Sequence, residues 1–154
     1  MLIGIDPALS GDLLKILDDM GHGDQLVIAD RNYPIHQAGR PVIRMGDVGA
    51  LRTFKAILSV VPLDTYVPHP LERMEVENDP ALIAPIQAEV LDYVRQNHMP
   101  GIEFGLIPRM EFYERARNTS AVIHTLEDQP YGCFILTKGV VFDPDKLPPA
   151  PARS

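Results

Sequence analysis

The sequence predicts one layered α/β domain built on a mixed, mostly parallel sheet. Three observations predict it. Amphipathic stretches at helical spacing alternate with short apolar runs along most of the chain. Two late tracts, Ala121–Leu126 and Cys133–Thr137, follow one another as alternating strands with no helix between, which introduces some antiparallel pairing. A chain of 154 residues, 45% hydrophobic, suits a single domain with a real core.

Each element has its own signal. Ser10 reads as an N-cap, with Asp12 in the first turn where an acid favours the helix dipole. Leu13, Leu14, Ile16, Leu17 and Met20 then form one apolar face, and Gly21 reads as the left-handed residue that ends the helix. Gln25–Ala29 is short and apolar, an interior strand. Pro41–Met45 gives another strand. Asp47 caps a helix over Val48–Val61, with Leu51, Phe54, Ile57, Leu58 and Val61 inward. Leu63–Val67 reads as a strand. Met74 and Val76, interleaved with Glu75 and Glu77, suggest a short edge strand. Asp79-Pro80 reads as the cap and first-turn proline of a helix reaching Asn97, its start delayed by Pro85. A strand over Ile102–Ile107, broken by Gly105, leads through Arg109 into a short helix, Met110–Arg117. The last two strands form a hairpin or lie otherwise adjacent, joined by the loop EDQPYG.

Composition narrows the function classes. Net charge is −7, and no block of Lys or Arg suggests a nucleic-acid surface. The apolar runs fall far short of a membrane span, and the N-terminus lacks a basic region followed by a signal-peptide core. The single cysteine, Cys133, excludes an intramolecular disulfide framework. These features lead us to expect a soluble cytoplasmic protein. Residues 1–142 make the domain, and the Pro-rich tail 143–154, DPDKLPPAPARS, reads as disordered or extended.

The chemistry concentrates in MGHGDQLVIADRNYP, Met20–Pro34. His22 sits between two glycines in the turn after a helix, and Asp30 stands where the next strand stops. Strand ends and their loops carry chemistry in α/β proteins, so the two residues are first candidates for an acid–base pair. A strand of five or six residues spans about 17–20 Å. One protomer therefore does not join them unless the glycine turn folds back or a neighbouring subunit helps. Other readings are poorer. There is no G-x-S-x-G nucleophile elbow, no dinucleotide or P-loop glycine fingerprint, and no metal-ligand spacing among His36, His69, His98 and His124. Taken singly, Arg109 reads as pairing with Glu111 or Glu114, Tyr113 as packing, and Cys133 as a small buried residue.

Several motifs in order resemble the RbsD/FucU family of sugar mutarotases and pyranases. They are Gly21-His22-Gly23-Asp24, Ala29-Asp30 followed by Asn32-Tyr33-Pro34, Val42-Ile43-Arg44, Phe112-Tyr113-Glu114-Arg115-Ala116, Tyr131-Gly132 and Lys138-Gly139. The resemblance covers about Leu2 to Gly139. It implies an RbsD-like α/β/α fold and a ring-like homo-oligomer with sites near subunit boundaries. Arg109 ahead of the FYERA motif is similar to the L-fucose mutarotase branch, whereas the ribose branch tends to carry histidine there.

The resemblance also implies roles. His22 matches the proton donor, Asp30 and Arg109 the sugar-binding acid and arginine, and Tyr131 and Gly132 the first two members of a Tyr-Gly-Asn sugar contact. Cys133 replaces the asparagine. Such residues suit anomer interconversion, in which acid–base groups open a cyclic hemiacetal that recloses on its other face. The reaction calls for a monosaccharide and no cofactor or metal. Three functions follow: a mutarotase for L-fucose or a related sugar, a D-ribose pyranase, or a sugar-binding subunit without turnover, which the Cys133 departure favours.

Overall fold

A computed structural model describes residues 1–143, 145 and 146, so most of the expected tail lies outside the described residues. Along the chain run α1 (Gly11–Asp19), β1 (Gln25–Ala29), a 3-10 turn (Ile35–Gln37), β2 (Val42–Arg44), α2 (Ala50–Leu58), β3 (Leu71–Met74), α3 (Pro85–Asn97), β4 (Gly105–Ile107), α4 (Arg109–Ala116), β5 (Val122–His124) and β6 (Phe134–Thr137). The six strands form one sheet in the order β2-β5-β1-β6-β3-β4. β1 and β2 both run parallel to β5, and β3 runs parallel to β4. β6 alone is antiparallel, to β1 on one side and β3 on the other. The mixed, mostly parallel sheet is as expected. The two last strands are not neighbours, because β1 lies between them.

Strand alternation divides the core into two layers. Leu26 and Ile28 face one side with Ile123, Phe134 and Leu136, packed under α1, α2 and α3. Val27 and Ala29 face the other with Val122, Ile135 and Ile107, packed under Phe112 and Ala116 of α4 and Tyr33. Phe54 meets Phe134 edge to face at 5.0 Å between ring centroids, fixing α2 on the sheet. None of the helices among the described residues is long and apolar enough to cross a membrane.

Several boundaries depart from the sequence reading. Gly21 does not adopt the left-handed conformation; Gly23 does, at φ 87°. α1 ends instead under Lys138, whose ammonium donates to the carbonyls of Leu17 at 2.7 Å and Met20 at 2.6 Å. α2 begins at Ala50 behind Gly49, not at Asp47, because its first free N–H is met by Glu127 Oε2 at 3.1 Å, from 77 residues away. Leu63–Val67 is not a strand. Leu63 makes an isolated bridge to Lys138, and the rest is loop. The strand expected near Met74–Val76 lies at Leu71–Met74 and is interior, between β6 and β4. Its charges disguise it: Glu72 is paired to Arg115, and Arg73 is buried on Gln87. Asp79-Pro80 forms a turn, with Asp79 Oδ1 accepting from the Ala81 N–H at 2.9 Å. α3 starts at Pro85 in its first position, as the delayed start anticipates.

Candidate functional site

The parallel strands gather their carboxyl ends on one edge of the sheet, the edge where open α/β sheets place ligands. Asp30 follows β1 there, Arg109 opens α4 two residues after β4, and Tyr131-Gly132-Cys133 enter antiparallel β6 from the same edge. The register Ile28↔Phe134 sets Cys133 beside Asp30. The Cys133 thiol donates to Asp30 Oδ2 at 3.5 Å, the Asn32 N–H donates to Oδ1 at 3.0 Å, and the Gly132 N–H adds a third bond. Asp30 is only 5% exposed. Burial pushes its pKa up, the three donors hold it back in part, and the nearby Glu127 charge pushes the same way as burial.

The neighbours of Asp30 are close-fitted. A Cβ on Gly132 would lie 3.0 Å from Glu127 Cγ and 3.4 Å from Asp30 Cβ, so any larger residue there presses on both carboxylate side chains. Glu127 in turn accepts from the Gln129 N–H at 3.1 Å and from Ala50, tying this loop to the start of α2. Burial and the Asp30 charge push the Cys133 thiol well up, so it is a protonated donor near neutral pH. Tyr113 packs at 5.6 Å on the Tyr33 ring, as its place on an amphipathic helix suggests. It also faces the cluster: burial raises its pKa, Cys133, Asp30 and Tyr131 push it further up, and the Arg109 charge pulls it down. Arg109 itself is exposed and makes no ion pair with Glu111 or Glu114 among the described residues. A recess of about 240 Å³ opens beside Tyr33, Tyr113 and Met110.

His22 lies on the opposite, amino edge. Its Nε2 sits 3.1 Å from Oδ1 of Asp64, and its ring tilts against Tyr66 at 5.4 Å. The histidine is 46% exposed, whereas the aspartate is 2% exposed. Asp64 Oδ1 also accepts from the Tyr66 N–H at 2.9 Å. Lys138-Gly139 knits this edge together. The Gly23 N–H donates to the Lys138 carbonyl, the Lys138 N–H to that of Asp24, and the Gly139 N–H to that of Pro62. A Cβ on Gly139 would stand 2.5 Å from the Leu63 carbonyl oxygen, so only glycine lets the two loops close on each other. A recess of about 390 Å³, bordered by Asp64, His69 and Glu103, opens on the same edge.

The structure thus brings Asp30, Tyr131, Gly132 and Cys133 together, with Arg109 near them through Tyr113. It does not bring His22 to them. The whole of β1, about 17 Å at 3.3 Å per residue, separates the two groups. Sequence reasoning missed Asp64, Glu127 and Glu77, the acceptor for the Tyr131 hydroxyl at 2.9 Å. Only Asp64 left a signal: an acid inside a run otherwise suited to a strand, a residue type strands disfavour.

Comparison with known proteins gives these positions a context. The chain matches the RbsD / FucU transport protein family over residues 3–141. It is 36% identical over 140 residues to an L-fucose mutarotase of Histophilus somni, covering 91% of this chain and 97% of that one. It is 40% identical over 148 residues to the human fucose mutarotase, covering 91% and 94%. Among solved structures, the fucose mutarotase of Streptococcus pneumoniae in complex with L-fucose superposes with a TM-score of 0.80 at 34% identity, over 92% of this chain and 100% of the other. With the match running from before α1 to beyond β6, the chain belongs to the RbsD / FucU family.

Proposed function

We propose that the protein is a sugar mutarotase interconverting the α and β anomers of L-fucose or a closely related monosaccharide, and that its working form is a cytoplasmic ring in which neighbouring subunits complete each site. The observation that carries this reading is the split of the acid–base machinery. A binding cluster around buried Asp30 occupies one edge of the sheet, and a histidine anchored on buried Asp64 occupies the other. Juxtaposed copies of the chain unite the two edges; a single copy does not. The mutarotase relatives and the fucose-bound neighbour support the substrate class.

The residues suit the reaction. With its Nε2–H donated to Asp64, His22 presents Nδ1 to the sugar, a base in the neutral ring and an acid in the imidazolium. Removal of the anomeric hydroxyl proton and protonation of the ring oxygen break the bond between that oxygen and the anomeric carbon. The open aldehyde rotates and recloses, and each proton returns. Asp30 accepts from sugar hydroxyls, and Arg109 donates to them and favours charge developing on oxygen. The thiol of Cys133 is spent on Asp30, so this position serves the sugar through its backbone or through Asp30.

NMR exchange between the anomeric signals tests the proposal on a panel of L-fucose, D-ribose and galactose. Exchange on L-fucose rising with protein concentration, at an unchanged anomer ratio, is expected. Faster exchange on ribose alone would mark a pyranase, and sugar binding without faster exchange would mark a silent binding subunit.

A further inference from the structure

Among the described residues only three non-glycine positions adopt the left-handed backbone region: Glu77 at φ 52°, Asn78 at 55° and Tyr131 at 62°. All three meet. Val76 and Asp79 bridge across a tight turn, closed by the Asp79 N–H on the Val76 carbonyl at 2.8 Å. Positive φ at both central residues is the geometry of a type I′ turn, which Asn tolerates and Glu does not favour. From this turn Glu77 Oε1 reaches back to accept the Tyr131 hydroxyl at 2.9 Å.

The strained backbone is held from inside. Gln87 is fully buried, and its Nε2 donates to the carbonyls of Met74 at 2.8 Å and Tyr131 at 3.0 Å. Its Oε1 accepts from the Ala84 N–H at 3.1 Å and from Arg73 Nη1 at 3.3 Å. Arg73 Nη2 donates to the Pro80 carbonyl at 3.3 Å, just past the turn. One buried amide therefore fixes the Tyr131 backbone, and through Arg73 it fixes the turn that carries Glu77. Backbone strain persists only where surroundings over-determine it, and it concentrates at ligand clamps.

We propose that Glu77 is a positioning residue of the sugar site, setting the direction in which Tyr131 hydrogen-bonds. The carboxylate takes the phenol hydrogen, so the Tyr131 oxygen presents only lone pairs to the sugar, and a sugar hydroxyl must donate to it. Beside Asp30, which also only accepts, this selects sugars that offer two donating hydroxyls there. The role rests on the reading of Tyr131 as a sugar contact.

The full chain with E77A, E77Q, Y131F and the double change E77A/Y131F tests it on the sugar that the wild type turns over. E77A is expected to raise KM about tenfold, the worth of one such hydrogen bond, with a smaller change in kcat. The melting temperature should hold, because Glu77 is exposed and alanine keeps the same backbone cost. E77Q, which keeps an acceptor oxygen, should recover most of the loss. The double variant should be no worse than Y131F alone. A wild-type KM in E77A, or losses that multiply in the double variant, would overturn the positioning role while leaving the mutarotase reading intact. A wild type that speeds exchange of no sugar would remove that reading, and this role with it.

Discussion

The two edges of the sheet handle an ionisable side chain in opposite ways. At the carboxyl edge the acid itself is the buried group at the surface of the cluster: Asp30 is 5% exposed and held by three donors from Asn32, Gly132 and Cys133. At the amino edge the buried acid, Asp64, stands behind a half-exposed histidine. A fixed acceptor, flanked by a tightly fitted glycine and a thiol, is suited to holding a hydroxyl. An imidazole on a buried anchor, with its other nitrogen unbonded among the described residues, is suited to passing a proton. Under the proposed function, the carboxyl edge binds the sugar, the amino edge transfers the proton, and one site draws on two subunits.

The largest expected effect removes the proton-transfer edge. His22→Ala should lose about 10²–10⁴-fold of the acceleration of anomer exchange, the range of a general acid–base group, while sugar affinity and melting temperature change little. Normal exchange in this variant would erase the distinction between the edges.

The binding edge should fail differently. Asp30→Asn and Arg109→Ala should each weaken sugar binding in titration calorimetry by about 1.5–3 kcal/mol, the range for hydrogen bonds to charged groups. Unchanged affinity in both would make the carboxyl edge structural.

Cys133→Asn sharpens the same edge. The thiol is 3% exposed and turned onto Asp30, so an amide there buries polar groups without partners. A loss of about 1–3 kcal/mol of stability, with no gain on L-fucose, is expected in thermal unfolding. A tighter or faster variant at wild-type stability would mean that the side chain reaches the sugar.

The smallest effect is a pH dependence. Burial raises the Asp30 pKa above the ordinary 3.8, so the folded state holds this proton more tightly than the unfolded state does. The contribution to stability is full below pH 3.8 and is lost as pH rises through the raised folded value. Asp30→Asn should remove that loss, making denaturant unfolding less dependent on pH across this window than in the wild type. Identical profiles would show that Asp30 is not desolvated.

Much of this was legible in the sequence, and the remainder is non-local. Helical spacing located α1 and α4, and an apolar run located β1, because a core face imposes its period on the local chain. The glycine-flanked His22 and the strand-end Asp30 stood out for the same local reason, and the seven residues between them already implied their separation. What stayed hidden depends on partners distant in sequence. Glu127 resets the start of α2 from 77 residues away, and Lys138 ends α1 in place of a left-handed Gly21. β1 inserts between two strands that follow each other in the chain. β3 looked like an edge because the partners of Glu72 and Arg73, on α4 and α3, are invisible to a local reading.

The central claim, that one site takes His22 from one subunit and Asp30 from the next, is tested most directly by complementation. His22→Ala and Asp30→Asn chains are co-expressed in equal amounts, and anomer exchange on L-fucose is measured for the mixed oligomer. Random assembly leaves both native residues at about one quarter of the shared sites, so activity should return to about a quarter of wild type. Activity no higher than the average of the two parent variants would contradict a shared site.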